Sequence, residues 1–395
     1  MQKLAVKGFI AFLGLFVGCV QANDDLSWHG FIAQGITQSQ HSAYITDDNA
    51  FTFESTEVGI NAIYTFNSNV SVAGQLVYLD GGNRYRQGSR VDYLFLDWRV
   101  AQYFDWQMNL HLGRYKNRHW LYSATQDVPH TRPSIILPQS VYYDGNRDMA
   151  LSSDGIALQS TKVGDSGSWE VRWSLGRSPL AREETEKFLS PLAQGRVKQD
   201  IVHQFSTYWQ PNFSQWQIGF SLLQSDFTYK PAEQDILLNG NSTIERLTLA
   251  VRYDSENWEF SSELLRDRLR YRGDFTQGVT LDIDKTGEGG YAQFRYFLTD
   301  AITGLMRIDS YDVDRKDRDG RLLDLNPLGP IPRYYGYMDT ATLGLSWDFA
   351  QQMRVSAELS RTRGAGRLAT VLFPSSLIQA DPFWNTWSVQ FMYWF

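Results

Sequence analysis

The sequence is poor in cysteine, in long apolar runs and in positive charge. Cys19 is the only cysteine of the 395 residues. Beyond residue 18 no run approaches the ~18 apolar residues of a membrane helix, which excludes a helical membrane protein. The formal net charge is -7, and loss of Lys3 and Lys7 with a cleaved leader would make it -9. Glycine loops for phosphate and cysteine clusters with metal spacing are also absent. We therefore expect no nucleic-acid partner, no metal and no cofactor.

The first 22 residues have the pattern of a secretory signal peptide. Lys3 and Lys7 precede the apolar stretch 8–18, and small residues at 20–22 suit a cleavage site. We predict a signal peptide at 1–22 and one domain at 23–395. An alternative makes Cys19 a lipoprotein attachment site after Gly18, although Phe16 replaces the usual leucine. Cleavage after Ala22 would remove the only cysteine and exclude a disulfide.

What the sequence has in quantity is aromatic residues, at 14%, with 13 Trp and 21 Tyr. The last strand carries an apolar side chain at every second position: Trp387, Val389, Phe391, Tyr393 and Phe395. One face of that strand is therefore wholly apolar, and lipid is its natural solvent. The pattern resembles the closing strand of Gram-negative outer-membrane β-barrels, which implies that these five residues form the signal for the barrel-assembly machinery. The alternative is an edge strand of a soluble sandwich.

The same two-residue alternation recurs along the chain in segments near ~10 residues, the length of a tilted membrane strand. Val58 to Phe66 and Val70 to Tyr78 flank the turn Asn67-Ser68 and indicate a hairpin. We count about sixteen such segments, an even number as bacterial barrels require.

The connections between these segments alternate in length. Short turns are predicted near residues 67, 104, 165, 212, 255, 300 and 350, and polar segments rich in Gly and Pro at 38–51, 80–90, 116–152, 179–198, 226–242, 267–288, 312–336 and 363–384. A soluble sandwich has no reason to sort its connections in this way. The pattern predicts an all-β fold, a transmembrane antiparallel up-and-down β-barrel with both termini on one side.

The third long segment, 116–152, is the largest. Pro129, Pro133 and Pro138 restrict its backbone, and the apolar residues 135–137 would be unusual on a solvated outer loop. We predict that it folds into the lumen. A barrel of about sixteen strands leaves an aqueous lumen, so the sequence favours a channel narrowed by this segment.

This region also carries a family resemblance. Residues 131–142 (TRPSIILPQSVY), preceded by 113–116 (GRYK) and 126–128 (QDV), resemble the third-loop region of proteobacterial porin-like proteins related to the phosphate-selective porins. The resemblance implies a homotrimer in the outer membrane that lets small hydrophilic solutes diffuse, in contact with lipid and lipopolysaccharide. Phosphate selectivity is not implied, because the loop cations Lys116, Arg118, Arg132 and Arg147 are balanced by Asp127, Asp144 and Asp148.

Residues that face the lumen follow from parity with the apolar positions. The predicted pore-lining and constriction residues are Lys116, Arg118, Asp127, Arg132, Asp97, Arg99, His111, Arg172, Arg252, Arg295, Arg307, Arg354 and Glu358. We expect Arg295, Arg307 and Arg354 to face loop carboxylates such as Asp127 and to set a transverse field. The alternative is that these side chains are solvated, pair with one another and recognise no solute.

Other functions are weaker readings of the same sequence. A non-channel barrel would act as an adhesin or receptor through its outer loops, with the third segment as a plug. A TonB-dependent transporter would need a plug domain before the first strand. The six histidines show no spacing for a barrel hydrolase, so no catalytic residue is predicted. A metal site formed by His119 and His130 with Asp127 is a weak alternative, because a third clear ligand is missing. Calcium binding, a cation bridge to lipopolysaccharide and plain solvation are the alternatives for the acidic run Asp309, Asp312, Asp314, Asp317 and Asp319.

Overall fold

The computed structural model describes residues 25–275, 278, 280–325, 330–372 and 379–395; the predicted signal peptide and Cys19 lie outside them. The strands are β1 Leu26–Ser42, β2 Thr56–Asn67, β3 Val70–Asp80, β4 Gly88–Tyr103, β5 Trp106–Lys116, β6 Ser152–Gly164, β7 Gly167–Arg177, β8 Arg196–Gln210, β9 Trp216–Lys230, β10 Leu237–Asp254, β11 Trp258–Phe275, β12 Thr280–Phe297, β13 Ile302–Asp312, β14 Tyr337–Ala350, β15 Met353–Gly364 and β16 Ala380–Trp394. Short α-helices (Arg147–Ala150, Arg182–Phe188) and 3₁₀ turns (Gly82–Arg84, Pro129–Thr131, Asp144–Asn146, Arg321–Leu325, Arg333–Gly336) lie between strands. No helix of the described residues has the length and apolar character of a membrane span.

The sheet is a closed barrel of sixteen antiparallel strands. Each strand pairs with its neighbours in the chain, and β1 pairs with β16 through registers such as Ile36 opposite Val389 and Gln34 opposite Phe391. Closure leaves no free sheet edge, so every strand can satisfy its backbone groups within the sheet. The predicted fold and the predicted strand count are confirmed.

The two faces of the wall differ in chemistry. On β11 the side chain of Leu264 is 60% exposed, whereas its neighbours Glu263 and Leu265 are buried. Because successive side chains of a strand alternate between faces, the exposed apolar set must lie on the outer surface. Registered neighbours extend this set from strand to strand in rows, one of which is Phe260, Phe294, Met306, Leu343, Leu359 and Trp387.

Aromatic side chains concentrate at the end of the barrel that carries the short turns, here called the short-turn end. Trp169 stacks on Trp209 with ring centroids 5.3 Å apart, and Tyr253 lies between Trp216 (4.7 Å) and Trp258 (4.9 Å). Amphipathic rings at one level are typical of a membrane interface. The opposite end, with the longer connections, is called the long-loop end.

Strands β10, β11 and β12 have 18 residues each, so the prediction of ~10-residue strands is wrong there. Most of the predicted loops 226–242 and 267–288 is strand. The reason is that the polarity of the two faces is reversed beyond Leu264. There Leu265, Leu269 and Tyr271 face inward and are buried, while Arg266 and the arginines at 268, 270 and 272 face outward. The charges that suggested a loop are the water-facing side of strands that continue beyond the apolar belt.

Candidate functional site

Loop 3, residues 117–151 between β5 and β6, contacts the wall on all sides of the barrel. Its contacts to five strands are Arg132 with Glu57 (β2), the His119 carbonyl with Ser221 (β9), the Leu121 N–H with Glu263 (β11), the Ser140 N–H with Asp309 (β13) and the Ile135 N–H with Glu358 (β15). A segment can reach strands so far apart in a closed barrel only by crossing its interior. These contacts support the predicted position of the third segment.

The carboxylate of Glu263 is the most connected wall group under loop 3. It accepts hydrogen bonds from the Leu121 N–H at 3.0 Å, from the Tyr142 hydroxyl and from the Tyr291 hydroxyl at 2.9 Å. Two of these donors belong to loop 3 and the third to β12. Since Glu263 is fully buried, losing it would leave buried donors without an acceptor.

A second group of wall residues holds the apolar part of loop 3. Arg307 on β13 donates to the Ser134 hydroxyl and to the Ile136 carbonyl, both at 2.9 Å. Glu358 on β15 accepts from the Ile135 and Ile136 N–H groups. Charge-assisted hydrogen bonds of this kind are stronger than neutral ones. They fix the backbone of the stretch whose apolar side chains suggested burial.

The two ends of loop 3 meet in an ionic cluster near β4 and β5. Lys116 pairs with Asp92 and, at 2.6 Å, with Asp127. Arg147 also contacts Asp127. Arg90 pairs with Asp148 at 2.6 Å, and Arg84 with Asp144 at 2.8 Å. Asp127 is thus shared by Lys116 and Arg147, while the loop carboxylates Asp144 and Asp148 pair with arginines that precede β5.

An apolar cluster joins loop 3 to the inner wall. Its members are Trp120, Leu121, Tyr122, Leu137, Val141, Tyr142, Ala150 and Leu151 from this part of the chain and Tyr208, Ala250, Leu265, Tyr291 and Tyr311 from the strands. The contacts among these side chains resemble those of an ordinary protein core. Burial of so many large side chains stabilises the seated position of the loop.

At the height of loop 3 the inward side chains are buried around the whole circumference: Gln75, His111, Arg172, Gln204, Thr248, Gln293, Thr342, Ser356 and Gln390. Towards the long-loop end two further apolar clusters add residues of the other connections, including Tyr44, Phe188, Tyr335 and Leu368. Loop material therefore fills the middle and the outer half of the lumen.

The lumen at the short-turn end is different. Here charges pair along the wall: the half-buried Arg252 with the exposed Asp254 (2.8 Å) and with the buried Glu259 (3.0 Å), and the half-buried Arg295 with Glu259 (3.2 Å). Asp97 faces His111 at 3.4 Å. We call this region, with Arg99, Arg118 and Glu170, the vestibule. It is lined by polar side chains on several strands and is accessible to water.

Two ionisable side chains of loop 3 are strongly perturbed. Burial, together with Arg354 and Arg132, lowers the pKa of His130 to about 4. The His130 ring stacks on Trp394 with centroids 4.8 Å apart, and its carbonyl accepts from Arg354 at 3.0 Å. Burial and the neighbouring Glu263 raise the pKa of Tyr142 well above its usual range. Both side chains are neutral at pH 7.

The predicted site residues fall into two sets. Lys116, Asp127, Arg132, His111, Arg172 and Arg307 are buried at the level of loop 3, whereas Asp97, Arg99, Arg118, Arg252, Arg295, Arg354 and Glu358 remain partly exposed. The predicted pairing with Asp127 is wrong. Arg295 binds Glu259, Arg354 binds Asp348, and Arg307 binds uncharged loop groups, because Lys116 and Arg147 already occupy Asp127.

Two wall carboxylates were absent from the predicted set, and inward parity would have found only the first of them. Glu57 precedes the outward Val58 and receives both Arg132 and Gln390. Asp92 binds Lys116 and Gln75. It has the parity of the outward Leu94 but faces inward, because a bulge opposite Gln75 and Leu76 shifts the register. Parity identifies positions such as Glu57, but it does not detect a bulge and does not say which positions a loop will contact.

The described residues contain no group of three or more His, Cys, Asp or Glu that could hold a metal ion. His119 packs against Trp120, with centroids 4.0 Å apart, and not against His130. In the acidic run, Asp312 pairs with Arg318, and Asp317 accepts backbone N–H groups of residues 321 and 322. The run therefore does not converge on one point.

Several solved structures share this fold, while no family model and no curated protein sequence matches the chain. OmpT of Vibrio cholerae, an outer membrane protein in a trimer form, has a TM-score of 0.55 at 13% identity, covering 94% of this chain and 99% of its own. An anion-selective porin from Comamonas acidovorans gives 0.55 at 10% (94% and 99%). The outer membrane channel DcaP of Acinetobacter baumannii gives 0.58 at 9% (94% and 97%).

At these identities the likeness establishes the fold. The chain is a sixteen-stranded barrel of the architecture seen in porins and related outer-membrane channels.

Proposed function

We propose that this protein is an outer-membrane channel of the porin type, which passes small hydrophilic solutes or ions and uses loop 3 as its permeability barrier. The observation that carries the proposal is the charged, water-accessible vestibule leading from one mouth of the barrel to the underside of loop 3. Its side chains come from strands on several sides, among them Asp97 on β4, Arg252 on β10 and Arg295 on β12. A polar lumen of this kind is typical of channel barrels.

Loop 3 decides how easily solutes pass. No disulfide is available to tie it in place, since the described residues contain no cysteine. It is held by hydrogen bonds to wall groups such as Glu263, Arg307 and Glu358 and by apolar packing. We therefore expect small conductance with the loop seated and larger conductance when it shifts.

A second function is favoured by the apolar cluster itself. If the packing of Trp120, Tyr122 and Tyr142 against the wall is never released, the barrel is a plugged receptor or adhesin that presents its outer connections to a partner. Neither function needs a catalytic residue, and we propose no enzymatic activity.

Single-channel recording of the refolded barrel in a planar bilayer separates the two functions. Discrete conductance steps, with a reversal potential under a salt gradient, support the channel. Silence from protein that is folded by circular dichroism and by heat-dependent gel migration would support the plugged receptor. A variant lacking most of loop 3 is recorded beside it, because removing the packing in the middle of the lumen should make conductance steps larger or more frequent.

The remaining proposals concern placement and assembly. We infer export by the signal peptide at 1–22, insertion through the alternating terminal residues 387–395, and an outer-membrane location with the short-turn end towards the periplasm. A homotrimer is proposed by analogy with the trimer form of the structurally similar OmpT. Conductance steps in groups of three and cross-linking to three chains would support it, and single steps from cross-linked monomers would contradict it. The relationship to phosphate-selective porins stays a prediction.

A further inference from the structure

A small cavity lies inside the outer half of the lumen, between loop 3, the wall and the connection that follows β15. Strands β10 to β13 form one side of it, and residues between 366 and 371 form the opposite side. It lies beyond the apolar belt, where Leu269 of β11 is the registered neighbour of Lys285 of β12. Its volume is about 50 Å³. Since one buried water needs about 10–15 Å³ of such space, the cavity has room for roughly three to five non-hydrogen atoms.

Three cations line the cavity, against a single carboxylate among the described residues. That carboxylate, Asp267, is occupied, because Arg246 donates to both of its oxygens at 2.6 and 3.1 Å. Lys285 and Arg367 have no ion-pair partner in the described part of the chain. Burial lowers the pKa of Lys285 to about 8, against the attraction of Asp314 and together with the repulsion of Arg367. An anion beside both cations would stabilise their charged forms.

The remaining contacts of these two cations are to backbone groups and rings. The Lys285 ammonium donates to the Val371 carbonyl, and an ammonium can donate further hydrogen bonds. Arg367 donates to the Ser140 carbonyl at 2.7 Å, and its guanidinium carbon lies 3.3 Å from the centre of the Tyr311 ring. The Arg367 side chain is buried, and its Nε has no hydrogen-bond partner among the described residues. A buried donor of this kind destabilises the structure unless a ligand or a water accepts from it.

The rest of the cavity is apolar. Ile244 and Leu269 come from the inner face of the wall, and Val313 and Ala369 come from the connections. These side chains form no hydrogen bonds, so an ion that is charged on all sides, such as inorganic phosphate, would lose hydration here without compensation. A ligand with a negatively charged head and a short hydrocarbon tail matches both sides of the cavity. The available space limits that tail to roughly one or two carbon atoms.

We propose that this cavity binds a short-chain organic monocarboxylate, with its carboxylate at Lys285 and Arg367 and its tail against the apolar side. The ammonium of Lys285 and the unpartnered Nε–H of Arg367 supply charge-assisted hydrogen bonds to the carboxylate oxygens. The site belongs to the packed half of the lumen and shares no residue with the vestibule. It therefore goes beyond the proposed function, because a conducting barrel and a plugged barrel could both hold this ligand.

The test is binding of propionate to the purified full-length barrel in detergent. Ligand-observed saturation-transfer NMR is the suitable readout, because a ligand of so few atoms binds weakly. Propionamide has a similar shape without the charge and should give no signal. Inorganic phosphate should displace propionate only at about tenfold higher concentration than unlabelled acetate does. Lys285→Met keeps the length of the side chain but removes its charge, and should weaken propionate binding about tenfold.

A second variant tests the apolar side. Ala369→Leu fills the cavity and keeps both cations, and it should also weaken propionate binding. Lys198→Met, which removes an exposed cation 3.7 Å from Asp200, and Ala232→Leu, at an exposed position before β10, are the matched controls and should bind propionate normally. Circular dichroism and heat-dependent gel migration verify that each variant is folded.

Equal propionate binding by Lys285→Met, Ala369→Leu and the unchanged barrel would overturn the proposal. Displacement by phosphate as effective as that by acetate would also overturn it, since the site would then respond to negative charge alone. A propionamide signal equal to that of propionate would do the same, because the signal would then come from apolar contact with protein or detergent. Conduction plays no part in this readout, so a silent barrel that binds propionate would count against the channel and support this inference.

Discussion

The two halves of the lumen are built from the same strands but differ in which face of the wall is apolar. Near the short-turn end the strands place apolar side chains outward and charges inward, and the inward charges pair along the wall, as Arg252 does with Glu259. Near the long-loop end the strands place arginines outward and apolar residues such as Leu265 and Leu269 inward, against loop material. The lower half is therefore a membrane barrel around water, and the upper half is a protein core enclosed by strands.

This difference separates two properties that are often ascribed to one constriction. If the barrel conducts as proposed, the packed half should set how much can pass, because it fills the cross-section of the lumen. The vestibule should then set which charge is favoured, because its side chains are accessible to water and can interact with ions at short range. Variants of the two halves should accordingly change different observables.

The largest effect is expected from removing the packed half at its centre. Replacing residues 119–141 by a short Gly-Ser linker should raise the single-channel conductance roughly three- to tenfold, since the narrowest cross-section disappears while the sixteen strands remain. Shortening the exposed tip of the connection between β1 and β2, at residues 47–50, is the control and should leave conductance unchanged. If the two deletions behave alike, loop 3 is not the barrier.

Removal of a single wall carboxylate should loosen the contact between loop 3 and the wall. Glu263→Ala removes the acceptor of the Leu121 N–H and of the Tyr142 and Tyr291 hydroxyls, which should cost about 2–4 kcal/mol of seating free energy. We expect faster cleavage of loop 3 by trypsin and more frequent large openings. Glu256→Ala, at an exposed position before β11, is the matched control. Unchanged protease protection in Glu263→Ala would show that the other contacts of loop 3 seat it without this carboxylate.

These two predictions also show where sequence reasoning succeeded. The alternation of Trp387 to Phe395 and of the other segments specified the closed barrel, because a one-residue error in register would expose polar side chains to lipid. The burial of Ile135 and Leu137 followed from their hydrophobicity in a polar connection. What local pattern could not give is the partner of each charge. Asp127 binds Lys116 and Arg147 because the loop returns to β5, and that path is a long-range property.

The lengths of strands β10 to β12 were predicted wrongly for a related reason. A period of two persists through Arg266 and the arginines that follow, but its polarity is reversed, with apolar residues inward. Polarity can be read correctly only when the filling of the lumen at that height is known. Charge was therefore taken as a sign of a loop when it marked the passage of a strand from lipid into water.

Substitutions in the vestibule should change ion selectivity and not conductance. Arg252→Glu replaces the cation between Asp254 and Glu259 by a third carboxylate, which should raise the cation-to-anion permeability ratio by about two- to fivefold at low salt. The reversal potential under a salt gradient measures this ratio. Lys198→Glu makes the same charge change on an exposed position of β8 and should have little effect. Equal shifts in both variants would assign selectivity to the net charge of the protein.

The smallest effect concerns the junction of the two halves, where His130 of loop 3 lies on Trp394. The pKa of this imidazole is about 4 in the seated loop, against an ordinary value of 6.5, because burial and the cations of Arg354 and Arg132 disfavour its charged form. The seated loop therefore holds fewer protons than a released one, and its seating weakens as pH falls from 6.5 towards 4. Partial exposure to solvent keeps the effect modest.

The expected result is a small rise in open probability over that pH range that is absent in His130→Phe, an aromatic that keeps the contact with Trp394 and does not titrate. The informative quantity is the difference between the two curves, because it isolates the contribution of this imidazole. Parallel curves would mean that protonation elsewhere controls the loop, and that the junction between the packed half and the vestibule does not sense pH through this side chain.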